Sequence, residues 1–479
     1  MRMNMKYLIC TLLAGSILTA SAQDIDRSVK PAGKPAPKVT LPKIQKAKLT
    51  NGLSVWLVEH HELPNVAMNL VIQAGADHDP PAMPGLASIT ADMIDEATTT
   101  KDALQISDAV ESIGASLNTS SNPDGSYLTL NTLVKHLDRA LPVMADVVMN
   151  PTFPPNDFER IRKQRLTQLI QQKDQPVTIA NNSYAHILYG ANHPYGNNPS
   201  GTETSLKAMT ADDLKKFYST YYRPNNATLI IVGDVTLADM TAKLEKVLGA
   251  WKKADVPPFT VPPAPAVDMR RVYLIDKPGA PQSEVRIGYP ALARSTPDYF
   301  PVLEMNRLLG GQFTSRINLN LREKHGYTYG ARSAFSFQKG AGPFTASGGI
   351  VTEKTDSSLI EFLHEINLMK EKGMSATELD FVKKGLVGNF ALGFETPAQI
   401  AGSLQNIVLY GLPEDYFNNY LQKIEAVKLG DIQRVAAKYL DASKMAVVVV
   451  GDLAKIKDGI EKLNLGKTVM SDLDGNPMP

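Results

Sequence analysis

The sequence is poor in the residues that most catalytic chemistry uses. It holds one cysteine, Cys10, and that thiol lies in an apolar N-terminal run. A lone thiol excludes an internal disulfide, an Fe–S cluster and a thiolate zinc site. The eight histidines, His60, His61, His78, His136, His186, His193, His325 and His364, make no metal-ligand spacing. "HHELPN" begins like H-E-x-x-H, but Asn65 stands where the second imidazole belongs and Pro64 breaks a helix there. "HEINL" at His364 fails at Leu368. No H-x-x-E-H, G-x-S-x-G elbow, Walker loop or G-x-G-x-x-G is present. A formal charge of +1 gives no field for a polyanionic partner. His60 and His61 read as residues at the tip of a hairpin rather than ligands.

The N-terminus carries a different signal. Arg2 and Lys6 precede the apolar "YLICTLLAGSILTA", and Ala20-Ser21-Ala22 supplies a small-residue cleavage site. Residues 1–22 therefore read as a secretory signal peptide, cut before Gln23, and no transmembrane segment is expected, since the apolar run is too short to span a bilayer. Ile9 before Cys10 argues against a lipid anchor. Processing removes two cations and the only cysteine. A secreted chain without thiols must rest on its hydrophobic cores, which points to the bacterial periplasm. Residues 23–43 form a Pro/Lys-rich arm, and residues 253–268, with "VPPFTVPPAPAV", an interdomain linker.

The two sides of that linker echo each other. "VWLVE" at Val55 and Pro64 recur as "VYLID" at Val272 and Pro281, at one interval. "NATLIIVGDV" before Val235 recurs as "KMAVVVVGDL" before Leu453, each running through Gly-Asp into an amphipathic helix. Matched ends over so long a period mean duplicated domains. Between the ends, helical patterns alternate with meander-like strands such as "GSYLTLNTLV" and "GPFTASGGIV". The expected class is α+β: two homologous domains, residues 44–252 and 269–468, each a mainly antiparallel sheet packed with helices, with residues 469–479 as a tail.

One helix is odd. "GLASITADMIDEATT" (Gly85–Thr99) buries Leu86, Ile89, Met93 and Ile94 at helical spacing, and sets Ser88, Ala91 and Asp92 together on another face. Position by position, "PGLASITADMIDEAT" resembles the zinc helix of the insulinase/pitrilysin family, P-G-L-A-H-F-L-E-H-M-L-F-K-G-T. The family includes mitochondrial and bacterial processing peptidases. The resemblance places the family's first histidine on Ser88, its catalytic glutamate on Ala91 and its second histidine on Asp92. The third ligand, a glutamate on a later helix, falls on Gln168. All four are replaced, so no metal is expected in this chain. "LLGGQFTSRINLNLREKHGYTYGA" (Leu308–Ala331) resembles the family segment whose arginine and tyrosine hold substrate near zinc, here Arg322 and Tyr329. His325 and Tyr327 are neighbours expected to line the same chamber.

The resemblance implies half of a clamshell. Some members divide the work between a zinc-bearing chain and a chain that keeps only the Arg/Tyr pair, and this sequence has the second pattern. The expected function is the zinc-less subunit of a heterodimeric periplasmic metallopeptidase. Zinc and an intact His-x-x-Glu-His belong to the partner, and a peptide or unfolded protein is the substrate. The competing expectation is a non-catalytic peptide-binding or assembly protein of the same fold. Taken without the family, Arg322 and Tyr329 read as a structural ion pair and a half-buried phenol, Asp92 and Glu96 as a solvated face, and Gly310-Gly311 as a sharp turn.

Overall fold

The apolar runs "ATLIIVG" and "AVVVVG" lie inside two sheets, buried on both faces as their near-continuous apolar pattern requires. The computed structural model describes residues 43–479; the signal peptide and nearly all of the arm lie outside the described residues. The first sheet is built from β1 (Gln45–Lys48), β2 (Ser54–Glu59), β3 (Asn65–Ile72), β4 (Ser116–Ser121), β5 (Ser126–Leu133) and β6 (Ala227–Gly233), in the order β1-β2-β6-β3-β5-β4. The second uses β7 (Arg271–Asp276), β8 (Gln282–Leu292), β9 (Thr328–Phe335), β10 (Gly342–Val351), β11 (Ala446–Gly451) and β12 (Lys467–Ser471), in the order β12-β7-β11-β8-β10-β9.

Five strands of each sheet correspond through the duplication. In both halves the last strand inserts parallel to the first, β6 beside β2 and β11 beside β7, and the rest pair antiparallel across to β4 or β9. The sixth strands come from opposite ends of the chain: β1 pairs antiparallel with β2, whereas β12 pairs parallel with β7. The fold is thus α+β with two mixed, mainly antiparallel sheets.

The structure differs from the sequence reading at three places. His60 and His61 join β2 to β3, but β6 lies between those strands, so their loop is a crossover and not a hairpin. There His61 bonds Asp234 at 2.7 Å and Glu59 at 3.1 Å. The second sheet does not stop at residue 468, because β12 continues to Ser471 and Met478 donates to the Met470 carbonyl at 2.8 Å. The Pro-rich linker is strapped to the body. Asn225 donates to the Ala254 carbonyl, His193 Nε2 meets the Pro262 carbonyl at 3.1 Å, and Phe259 stacks against His78 at 4.2 Å.

Six helices position the sites: α1 (Leu86–Met93), α2 (Pro155–Gln172), α3 (Pro176–Tyr189), α4 (Tyr299–Leu309), α5 (Thr355–Lys372) and α6 (Pro397–Tyr410). Two of them are exchanged between the halves. α6 belongs to the second half, yet Ile400, Leu404 and Ile407, one face at helical spacing, pack on the first sheet in a core shared with Val58, Val71 and Val232. α3 belongs to the first half, yet Ile179 and Ala180 pack with Val448 and Val450 of the second sheet. Both begin with proline at the first helical position, where no amide donor is lost. Tyr184 of α3 donates to the Phe344 carbonyl at 2.8 Å, in space left by Gly288, where a Cβ would lie 2.5 Å from the hydroxyl. Asn69 of β3 donates to Gln405 of α6. Beside them, buried Asp124 accepts from Tyr195 at 2.7 Å and Tyr410 at 3.1 Å, joining both halves.

Glu304 of α4 is fully buried and neither carboxyl oxygen has a hydrogen-bond partner among the described residues. Burial pushes its pKa up to about 8, so the folded chain holds it neutral near pH 7. A raised carboxyl pKa contributes stability that is complete below the unfolded value and is lost as pH climbs toward the folded one. Between about pH 5 and 9 the melting temperature of the native chain should fall, and that of Glu304→Gln should fall less. A pair of parallel curves in thermal melts would contradict this.

Candidate functional site: an arginine-bound helix and an open groove

α1 starts at Gly85, whose φ of 91° is left-handed and whose Cβ would strike the Gly201 backbone at 2.6 Å. Asp79 closes this end by accepting from the amides of Gly85 and Ala87, each at 2.7 Å. Burial pushes its pKa up to about 8, against the downward pull of those two amides. The apolar face of α1 lies in the first core, so the helix is a packed wall.

On the opposite face a guanidinium stands among the degenerate positions. Arg165 of α2 is 7% exposed and donates to Ser88 Oγ at 2.9 Å and to Asp92 Oδ2 at 2.5 Å. Its other terminal nitrogen reaches the Ser200 carbonyl at 3.3 Å. Gln168, one turn further along α2, is exposed, so Arg165 and not Gln168 is the α2 residue that meets both Ser88 and Asp92. Ala91 is fully buried and offers only a methyl group. A hydroxyl, a methyl, one carboxylate and a fixed cation do not fit zinc, which needs three nitrogen, sulfur or oxygen ligands and an open fourth position. Among the described residues no group of three or more His, Cys, Asp or Glu side chains could hold a metal ion. Asp92 and Glu96 are not a free solvated pair, since Glu96 is bound by Arg160. Burial pushes the neighbouring Asp95 up to about 6, and the charges of Glu96 and Asp92 add to the shift.

The second half carries the other predicted pair. Arg316–Asn318 forms a short helical piece that widens into a π-helical turn, Leu319–Lys324. Such turns are rare and favour functional sites. Gly326, at φ 66°, ends it and turns the chain into β9. Arg322 leaves this turn with its guanidinium 4.6 Å from the centre of the Phe313 ring and 3.4 Å from Glu323. Tyr329, near the start of β9, is 88% exposed, and its hydroxyl has no hydrogen-bond partner among the described residues. Both side chains line one open concavity of about 770 Å³, together with Phe313, Val177 of α3 and the face of β8–β10. His325 and Tyr327 do not line it: they stack on each other at 4.9 Å, and His325 lies 3.8 Å from Glu361 of α5. Tyr327 lies just before β9, and between it and Ala331 the pairing of β9 with β10 shifts register, opposite Gly348 and Ile350.

The free edges of the two sheets differ. The β9 edge is closed, because Ser333 donates to the Gly310 carbonyl at 3.0 Å and accepts from Asn306, and Ala331 donates to Asn318 at 3.1 Å. Gly310 makes that approach possible, since a Cβ there would lie 2.2 Å from the Ser333 nitrogen. Among the described residues the β4 edge, beside α1, pairs only with β5, and it alternates exposed with half-buried residues. Arg165, Asn306 and Asn318 escaped the sequence reading. Their roles depend on neighbours far away in sequence, and an arginine or asparagine on a mixed helix face carries no local signal.

Comparison with known proteins follows this geometry. The sequence profile of the insulinase family, peptidase family M16, matches residues 54–197, and that of the peptidase M16 inactive domain matches residues 208–386. Together they take in more than half of the chain, which belongs to the M16 family. It carries that family's zinc helix in a form without the zinc ligands. A non-peptidase homolog, YmxG, of Helicobacter pylori is 25% identical over 95% of this chain and its own full length. An uncharacterized zinc protease, also YmxG, of Bacillus subtilis is 23% identical over 82% of this chain and 95% of its own. A solved M16 inactive-domain structure from Pseudomonas fluorescens superposes with a TM-score of 0.80 at 28% identity, over 85% of this chain and 98% of that one.

The Arg165 geometry sets a concrete expectation for metal binding. Ser88→His, Ala91→Glu and Asp92→His together should leave the chain without stoichiometric zinc, because the guanidinium still stands at the shared position. Adding Arg165→Glu should raise the zinc content measured by elemental analysis. Equal zinc in the triple and quadruple variants would show that Arg165 does not exclude the metal.

Proposed function

We propose that this chain is the zinc-less subunit of a two-chain M16 peptidase and works against a family member that retains His-x-x-Glu-His and its zinc. One observation carries the reading. Arg322 and Tyr329 both reach a single open concavity, while the metal positions of the same chain are filled by a hydroxyl, a methyl group and an arginine-bound carboxylate. Tyr329 presents its hydroxyl to solvent at 88% exposure, where a bound peptide can reach it. The likeness in fold to the first half of the periplasmic protease PqqL of Escherichia coli supports a single chain as one side of a larger chamber (TM-score 0.71, 16% identity, 88% of this chain and 98% of that one). The signal-peptide pattern of residues 1–22 supports the same compartment.

In such a pair the partner's zinc would polarise the scissile carbonyl and activate water. What this chain adds is donors. Arg322 offers a rigid fork of N–H groups, fixed by its contact with Phe313, and Tyr329 a free hydroxyl. Donors held in place before the reaction stabilise an oxygen that gains negative charge, and the loss of one costs about 10²–10³ in rate. An extended peptide finds backbone partners at the open β4 edge and not at the closed β9 edge.

In a heterodimer reconstituted with a zinc-competent member, Arg322→Ala and Tyr329→Phe should each lower kcat by roughly 10²-fold, with dimer formation and zinc content unchanged. Asp92→Asn, which keeps an acceptor for Arg165, should leave turnover near normal. Near-normal kinetics in both Arg322 and Tyr329 variants would instead make the chain a scaffold or peptide-binding protein of the same fold.

A further inference from the structure

The concavity that holds Arg322 and Tyr329 has a pronounced charge. The strand register sets Arg286 of β8, Ser347 of β10 and Arg332 of β9 in one row. Residues directly opposite on neighbouring antiparallel strands point to the same face, so two arginines flank one small serine at roughly 10 Å, two strand spacings. With Arg322 they give the concavity three guanidinium groups, against one carboxylate, Glu284.

The three are held differently. Arg286 is 6% exposed and anchored: it donates to Glu284 at 3.0 Å, to the Val285 carbonyl at 2.8 Å and to Asn181 of α3 at 2.9 Å. That pair is neutral as a unit, and Glu284 needs the neighbouring Gly349, where a Cβ would lie 2.8 Å from its carboxyl oxygen. Arg322 has Glu323 at 3.4 Å on its outer side. Arg332 is exposed and has no ion-pair or hydrogen-bond partner among the described residues. Gly348 and Gly349 leave the floor beside this row bare of side chains. Like charges placed along one row repel, and a bound anion relieves that repulsion. Planar guanidinium forks match carboxylates in shape as well as charge.

From this row we propose that the concavity selects peptide segments bearing carboxylates, with Arg332 as the specificity-determining residue and Arg286 as the fixed cation beneath it. The inference rests on the peptide-binding reading above and adds the chemical class of peptide. The carboxylate can come from an acidic side chain or from a C-terminus, and both present the same group to the row.

The test uses the full chain and fluorescence anisotropy with three labelled Gly/Ser-rich peptides of equal length. One carries glutamates and an amidated C-terminus, one glutamines and a free C-terminus, and one glutamines and an amidated C-terminus. At least one carboxylate-bearing peptide should bind about five- to tenfold more tightly than the neutral one, as an ion pair of about 1 kcal/mol implies. The advantage should shrink with added salt. Which of the two leads tells side-chain from C-terminal recognition. Arg332→Glu, an exposed substitution whose melting curve checks folding, should abolish the advantage. Equal binding of all three peptides, or a charge preference untouched by Arg332→Glu, overturns the specificity and leaves peptide binding standing. Failure of every peptide to bind overturns both.

Discussion

The structure depends on a helix exchange. Each sheet has one face that its own half leaves uncovered, and each is closed by a helix from the other half, α6 on the first sheet and α3 on the second. Neither half can bury its sheet alone, so the duplication visible in sequence does not amount to two separable folding units. The groove follows from the same exchange. α3 covers only part of the β8–β10 face, and what it leaves open between Val177 and the π-helical turn is the concavity that Arg322 and Tyr329 line. Elsewhere between the halves, Tyr195 and Tyr410 both donate to buried Asp124 and tie the two together.

Much of this was legible in the sequence for physical reasons. The apolar runs had to be central strands, because only strands buried on both faces tolerate near-continuous apolar residues. The amphipathic helices after each Gly-Asp turn, Leu237–Leu248 and Leu453–Lys462, are where periodicity put them. Pairing was less legible. Local pattern cannot show that β6 inserts between β2 and β3, which turned the expected hairpin at His60 and His61 into a crossover. Nor could it show that β12 is a strand drawn from the chain's far end.

The functional positions divide the same way. Ser88 and Asp92 of α1 both meet Arg165, and Arg322 and Tyr329 line one concavity. His325 and Tyr327 do not: they stack on each other before β9 begins, and the register of β9 shifts just beyond them. Arg165 was invisible. Its meaning comes only from lying against α1, and an alignment of spacing favoured Gln168, a turn away.

Arg165 also alters what the chain requires from its surroundings. In a metal-dependent helix pair the cation that joins the two helices must be captured from solution, so folding waits on supply. Here the joining cation is encoded in the polypeptide and made with it. The contact that ties α1 to α2 at Ser88 and Asp92 therefore forms with the fold itself.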